Sequence, residues 1–205
     1  MTGTSRIPRA PADLPAPLPS ETQSTRAALR KELSQRRAAI AAELKTRHDA
    51  AIGARLLAWQ AQQRHPALGV YWPLRGEVDL SDAYARLAAD GVRLLLPVVL
   101  ARDAPLGFAE WVPGEAMHKD AMGIAVPLDL RMAGRPPALL VPCLGFDDAL
   151  FRLGYGGGFY DRTLAQAPRP ATVGIAYACQ HARFDSMPHD IPLDLILTEN
   201  GIFAP

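Results

Sequence analysis

Several side chains in this sequence have the types and spacing for chemistry on a phosphorylated ligand. The run Arg152-Leu153-Gly154-Tyr155-Gly156-Gly157-Gly158-Phe159-Tyr160-Asp161 sets four glycines within five positions, between an arginine and an aspartate. Such a run lets backbone N–H groups approach an anion, because no side chain stands in the way and positive φ is accessible. Arg26 and Arg30 are four apart, so a helix places both guanidinium groups on one side. Glu77, in Trp72-Pro73-Leu74-Arg75-Gly76-Glu77-Val78-Asp79, is a carboxylate able to accept the N–H groups of a heterocycle. Asp161 and Asp194 are carboxylates that suit Mg2+ beside phosphate oxygens, since that ion takes one or two protein oxygens.

Each of these has a plainer reading. The glycine run matches neither Walker A, since no lysine follows it, nor Gly-x-Gly-x-x-Gly, whose third glycine falls at Phe159. It is then a turn at a strand end. Arg26 and Arg30 share their helix with Lys31, Arg36 and Arg37, as a solvated basic face would. Glu77 reads equally as a turn acid, Asp161 as an acid at a helix start, and Asp194 as a strand-end acid. Tyr71, Trp72, Trp111, Phe159 and Tyr160 either stack on a planar ligand or fill the core. The five histidines lack metal-site spacing, and no nucleophile signature is present. The residues alone point to nucleotide binding and leave the second substrate open.

These groups need elements to position them. Residues 1–19 hold five prolines and little apolar bulk, which predicts a disordered leader. One helix is expected from Ser20 to about Lys45, with Leu29, Leu33, Ile40 and Leu44 on one face. A second is expected from Asp49 to Gln63, with apolar positions Ile52, Leu56, Leu57 and Trp59. Strands are predicted at Leu68–Trp72, Val92–Leu100, Leu106–Trp111 (a hairpin arm), Ala138–Pro142, Thr172–Tyr177 and Leu193–Thr198. Ser81 reads as the cap of a helix ending before Gly91, and a helix from Tyr160 to Ala167 follows the glycines. Pro127–Pro137 reads as a proline- and basic-rich loop. Strands alternating with helices predict an α/β layered domain over residues 20–205 with a largely parallel sheet, whose ligands gather at the carboxyl ends of strands.

Composition excludes other classes. With 205 residues and 49% apolar content the chain supports a real core. A net charge of +1 gives no basic excess for a nucleic-acid partner. Cys143 and Cys179 lie too far apart for a zinc knuckle or a disulfide framework. Apolar stretches are strand-length, so no membrane partner is expected, and the first residues hold no apolar h-region, so a secretory signal is not expected. A cytoplasmic location is the expectation.

With these segments quoted, the chain resembles the 5-formyltetrahydrofolate cyclo-ligase family, also called 5,10-methenyltetrahydrofolate synthetase. The resemblance covers about residues 24 to 202 and keeps the family's order. It runs through Arg26-Ala27-Ala28-Leu29-Arg30, Gly76-Glu77-Val78-Asp79, Phe108-Ala109-Glu110-Trp111, Gly123-Ile124-Ala125-Val126-Pro127 and the long Pro142–Arg162 block. It closes on Pro188-His189-Asp190-Ile191-Pro192-Leu193-Asp194 and Thr198-Glu199-Asn200-Gly201. Two positions depart from the pattern: Arg26 stands where many members have lysine, and Phe159 where the motif usually reads tyrosine.

The resemblance implies a three-layer α/β/α sandwich and an ATP- and Mg2+-dependent ligase. It implies ATP contacts at Arg26, Arg30 and Arg152, and along Leu153, Gly154, Tyr155, Gly156, Gly157, Gly158, Phe159 and Tyr160. Folate contacts are implied at Trp72 and Glu77, with Trp111 as a further candidate. The formyl group and γ-phosphate would meet at Tyr155–Phe159, with Arg152, Tyr155 and Gly157 nearest the reaction. Magnesium positions are implied at Asp161 and Asp194. Partners are then the folate and ATP, with the chain a monomer or weak homo-oligomer. The rivals are a non-catalytic nucleotide- or folate-binding protein of the same fold, and a sugar-phosphate or CoA-handling enzyme on a similar scaffold.

Overall fold

The computed structural model describes residues 21–74, 76–120 and 123–205, with side chains from Thr25 onward. The proline-rich leader lies outside the described residues. In chain order the elements are α1 (Glu21–Ala38), α2 (Ala42–Gln63), β1 (Ala67–Gly69), α3 (Ser81–Ala89), β2 (Arg93–Val98), β3 (Gly107–Trp111), β4 (Met117–Lys119), β5 (Ala125–Pro127) and β6 (Met132–Ala133). There follow β7 (Ala138–Pro142), β8 (Gly145–Phe146), β9 (Arg152–Leu153), α4 (Phe159–Leu164), β10 (Ala171–Ile175), a 3-10 turn (Ala178–Gln180), β11 (Leu195–Thr198) and β12 (Gly201–Phe203). No described helix is long and apolar enough to cross a membrane.

Eight strands form one sheet in the order β12-β11-β10-β7-β1-β2-β3-β6. The five central strands β11, β10, β7, β1 and β2 are parallel. The edges are antiparallel: β12 on one side, β3 and β6 on the other. Parallel strands are buried on both faces, so they read as continuous apolar runs, and successive residues divide between two cores. Leu94, Leu96 and Leu140 join Ile52, Leu56 and Trp59 of α2 and Tyr84 and Leu87 of α3. Leu95, Leu139, Val141 and Ile196 face the other way, onto Leu164 of α4, Leu150, Leu193 and Phe146. The layered α/β/α expectation holds, with one refinement: α4 is six residues long, and extended chain near Leu150 and Leu193 completes its layer.

Four local expectations are corrected. The first helix stops at Ala38 and the second begins at Ala42, although no breaker lies between them. Tertiary packing makes the break: Leu33 docks on Leu144 and Leu153, whereas Ile52 and Leu56 dock on the main sheet. Leu44, expected on the first helix's apolar face, is exposed. Ser81 opens α3 but does not cap it; the Asp79 carboxylate accepts both its N–H (2.9 Å) and its hydroxyl (2.6 Å). Within the 127–137 loop, Met132–Ala133 pairs with β3 as an edge strand, a long-range pairing that no local pattern announces.

Candidate active site

The chain leaves β1 for β2 on one side and later returns through β7 on the other, then continues outward to β10 and β11. This reversal opens a crevice beyond the carboxyl ends of β1 and β7. The loop after β1 carries Trp72 and Glu77, and the chain after β7 carries Arg152 and the glycine run. α1 lies across this region. Arg26, Arg30, Leu33 and Arg37 recur every three or four residues and so share one helical stripe. Leu33 anchors it: a Cβ on Gly145 would fall 2.5 Å from Leu33 Cδ1, so glycine lets Leu33 seat against β8 without shifting.

Gly156 (φ +95°) and Gly158 (φ +65°) hold left-handed backbone that shapes the loop. Arg30 donates from Nε to the Gly154 carbonyl at 2.8 Å. Burial, and the neighbouring Arg26 charge, lower the Arg30 guanidinium from its ordinary value, so a bound anion would be favoured there. Arg162 donates to the Gly157 carbonyl (2.6 Å), lies 5.1 Å over the Phe159 ring and reaches the Arg102 and Ala104 carbonyls. With only six residues, α4 adds little dipole, so an anion would rely on loop N–H groups and arginines.

Glu77 is buried, and the glycine loop reaches it. Tyr155 donates its hydroxyl proton to Glu77 Oε1 at 2.9 Å, and the Leu74 N–H donates to Oε2 at 2.8 Å. Arg37, also buried, donates from Nη2 to the Tyr155 hydroxyl at 2.8 Å. The Tyr155 residue is 42% exposed, but desolvation of its hydroxyl and the Glu77 charge push that hydroxyl up to about 12, so it is a proton donor at neutral pH.

Other expected residues fall elsewhere. Arg152 is buried between Asp161 (2.6 Å) and the Ile191 carbonyl (3.0 Å). Arg26 pairs with Asp190 (2.7 Å) and the Asp185 carbonyl (3.0 Å). The side chain of Leu153 belongs to the small core around Leu33, leaving only its backbone for a ligand. The Tyr160 ring packs against the second core rather than serving as an open platform. Trp72 meets Trp111 edge to face at 6.0 Å, and Trp111, buried, meets Tyr84 likewise.

The expected carboxylate pair is not assembled. Asp194 precedes β11, where its Oδ2 accepts the N–H (2.7 Å) and hydroxyl (2.9 Å) of Thr172 at the amino end of β10. Asp161 faces Arg152 in the first turn of α4. Being next to a strand does not say which end of the sheet a residue occupies. The Ile191 carbonyl shares Arg152 with Asp161, whereas the neighbouring Asp190 carboxylate accepts from Arg26 at 2.7 Å and from the Met187 N–H at 2.8 Å. Among the described residues no group of three or more His, Cys, Asp and Glu side chains could hold a metal ion.

Sequence reasoning gave no site role to Arg37, read as part of a solvated basic face, nor to Arg162 or Asp190. Gln180 is buried, accepts the Tyr177 N–H and donates to the Cys143 and Leu144 carbonyls, tying β10 to β7. Arg37 alone had a legible signal, its eleven-residue spacing from Arg26, which returns a helix to the same face.

The 5-formyltetrahydrofolate cyclo-ligase family model matches residues 22–199. The 5-formyltetrahydrofolate cyclo-ligase of Escherichia coli K12 is 30% identical over 181 residues, covering 83% of this chain and 98% of its own. That of Mycoplasma pneumoniae is 29% identical over 175 residues, covering 84% and 97%. Among solved structures, a 5,10-methenyltetrahydrofolate synthetase from Mycoplasma pneumoniae superposes with a TM-score of 0.72 at 26% identity, covering 85% of this chain and 98% of that one. The Aquifex aeolicus 5,10-methenyltetrahydrofolate synthetase superposes with a TM-score of 0.76 at 26% identity, covering 87% and 92%. The glycine loop, the buried glutamate beside it and a match along nearly the whole described chain agree: the chain belongs to the 5-formyltetrahydrofolate cyclo-ligase family.

Proposed function

We propose that the chain cyclises 5-formyltetrahydrofolate to 5,10-methenyltetrahydrofolate, consuming ATP as its Mg2+ complex and releasing ADP and phosphate. One observation carries this reading: Tyr155 of the glycine loop touches Glu77, the acid placed to read a pterin, at 2.9 Å. A loop suited to phosphate and an acceptor suited to a heterocycle thus lie one side chain apart. That separation fits a reaction in which a phosphoryl group passes onto the folate.

The chemistry follows. The formyl oxygen attacks the γ-phosphorus and ADP leaves. This gives an iminium phosphate at N5, turning a poor leaving group into a good one. N10 then attacks the formyl carbon, loses its proton, and phosphate departs with the C–O bond. Phosphoryl transfer of this kind asks the protein for positioning and charge neutralisation rather than for a nucleophile. Glycine-loop N–H groups and Arg30 supply these at the phosphates, with Arg152 behind them. Glu77 accepts N–H bonds from the pterin and orients it.

The phosphate chain fits the residues present; a metal cage of two protein carboxylates including Asp194 does not. Asp161, in the first turn after the glycine loop, is the acid suited to a Mg2+ held chiefly by phosphate oxygens. Bound there, the ion would neutralise charge on the transferring group.

A near-ultraviolet absorbance assay tests the proposal, because cyclisation extends conjugation in the folate. Product is expected only when ATP, Mg2+ and 5-formyltetrahydrofolate are all present. Equal turnover without ATP would overturn the ligase reading. ATP binding without turnover would favour a non-catalytic role.

A further inference from the structure

We propose that Arg37 is a positioning residue for the folate half of the site, acting on Glu77 through the Tyr155 hydroxyl. The proposal rests on the cyclo-ligase reading above. Arg37 and Glu77 are both buried, and Tyr155 stands between them. A guanidinium can only donate and a carboxylate can only accept. The single hydroxyl proton of Tyr155 therefore points at Glu77, while its oxygen faces Arg37. The direction of the chain Arg37→Tyr155→Glu77 is set by residue type and needs no choice of rotamer.

Arg37 also fixes the ring. Its Cζ lies 5.9 Å over the Tyr155 ring, within cation–π range. The residues on either side of Tyr155 are Gly154 and Gly156, so the placement of this ring falls to side-chain contacts. The Leu74 N–H holds the other Glu77 oxygen at 2.8 Å. Among the described contacts, the carboxylate is thereby held by the β1 loop and, through Tyr155, by α1. A carboxylate held in one orientation presents its acceptors to an amino-pyrimidine edge without reorganising on binding. Losing Arg37 leaves the fold of β1 untouched but frees one of those two holds. The effect belongs on the folate and not on the nucleotide, whose arginine on the same helix is Arg30, tied separately to Gly154.

A double-mutant cycle on the full-length chain reads this directly. Arg37→Met, Tyr155→Phe and the double variant are compared for the KM of each substrate. Each single change is expected to raise the KM for 5-formyltetrahydrofolate by about five- to tenfold, the worth of one hydrogen bond, with the KM for ATP nearly unchanged in Arg37→Met. The double variant should fall short of the product of the two single effects, because the hydroxyl contact is lost only once while the hold of Arg37 on the ring is lost in addition. Multiplying effects, or a raised KM for ATP in Arg37→Met, would overturn the proposal. Arg37→Leu, which also removes the donor and the charge, provides the same comparison should the methionine variant not fold. A ligand-free readout separates this proposal from the reaction itself. The 13Cζ NMR resonance of Tyr155, assigned by its loss in Tyr155→Phe, should shift in Arg37→Met and in Glu77→Gln. A shift in a chain without turnover would retain the positioning role and reject the proposed reaction. An unmoved resonance would reject the positioning role whatever the activity.

Discussion

Arg30 reaches the glycine loop at two points: its Nε donates to the Gly154 carbonyl at 2.8 Å, and its guanidinium carbon lies 3.7 Å from where a Cβ on Gly156 would stand. Gly156 also has φ +95°, where a side chain costs about 1–2 kcal/mol. Gly156→Ala is therefore expected to lower stability by that amount and to place a methyl against the face Arg30 offers a phosphate. ATP titration and thermal melting check both effects. A folded alanine variant with normal ATP affinity would remove this face from the nucleotide site.

Glu77→Gln should weaken folate binding by about 1.5–3 kcal/mol, roughly tenfold to a hundredfold, and leave ATP binding nearly intact. The amide offers one acceptor oxygen and turns a donor toward groups that are themselves donors, Tyr155 or the Leu74 N–H. Separate titrations with each substrate decide the matter. Weakened ATP binding with normal folate affinity would put Glu77 on the other ligand.

Asp161→Asn and Asp194→Asn should part company. Asp161 is the partner of Arg152, whose side chain is 5% exposed, so its loss strands a buried cation. About 2 kcal/mol of stability and most ATP-dependent turnover should go, less than for a fully enclosed pair because the Asp161 side chain is 21% exposed. Asp194→Asn should cost about 1 kcal/mol through its Thr172 bonds and leave the Mg2+ dependence of turnover unchanged. A shifted Mg2+ requirement in the Asp194 variant would restore it to the metal site.

Alkali should destabilise the fold before any tyrosine at the site ionises. Burial raises the Tyr71, Tyr84, Tyr155, Tyr160 and Tyr177 hydroxyls above their ordinary value of 10, Tyr155 to about 12. Below pH 10 these groups are protonated whether the chain is folded or not, and their contribution is fully present. Above it the unfolded chain releases protons first, so stability falls with rising pH until the folded groups also titrate. Urea midpoints measured between about pH 9 and about pH 11.5 should decline steadily, and a flat series would contradict the burial of these hydroxyls.

The parts legible in the sequence are those whose cause is local. Ala138–Leu139–Leu140–Val141–Pro142 reads as a strand because a doubly buried parallel strand is apolar at every position, and β7 occupies those residues. The glycine loop, the apolar positions of α2 and the family resemblance are likewise properties of residue type and spacing. What the tertiary structure alone decided are the pairings between distant segments. Whether Asp194 stands at the open or the closed end of the sheet depends on the direction in which β11 joins β10. Whether α1 ends at Ala38 depends on which core Leu33 enters. Arg37 and Tyr155 are 118 residues apart, and their meeting follows from the docking of α1 against β8 across Gly145. Backbone preference and hydrophobic period act over a turn or two of chain, whereas a hydrogen-bond chain through a site is fixed only once packing has chosen faces and ends.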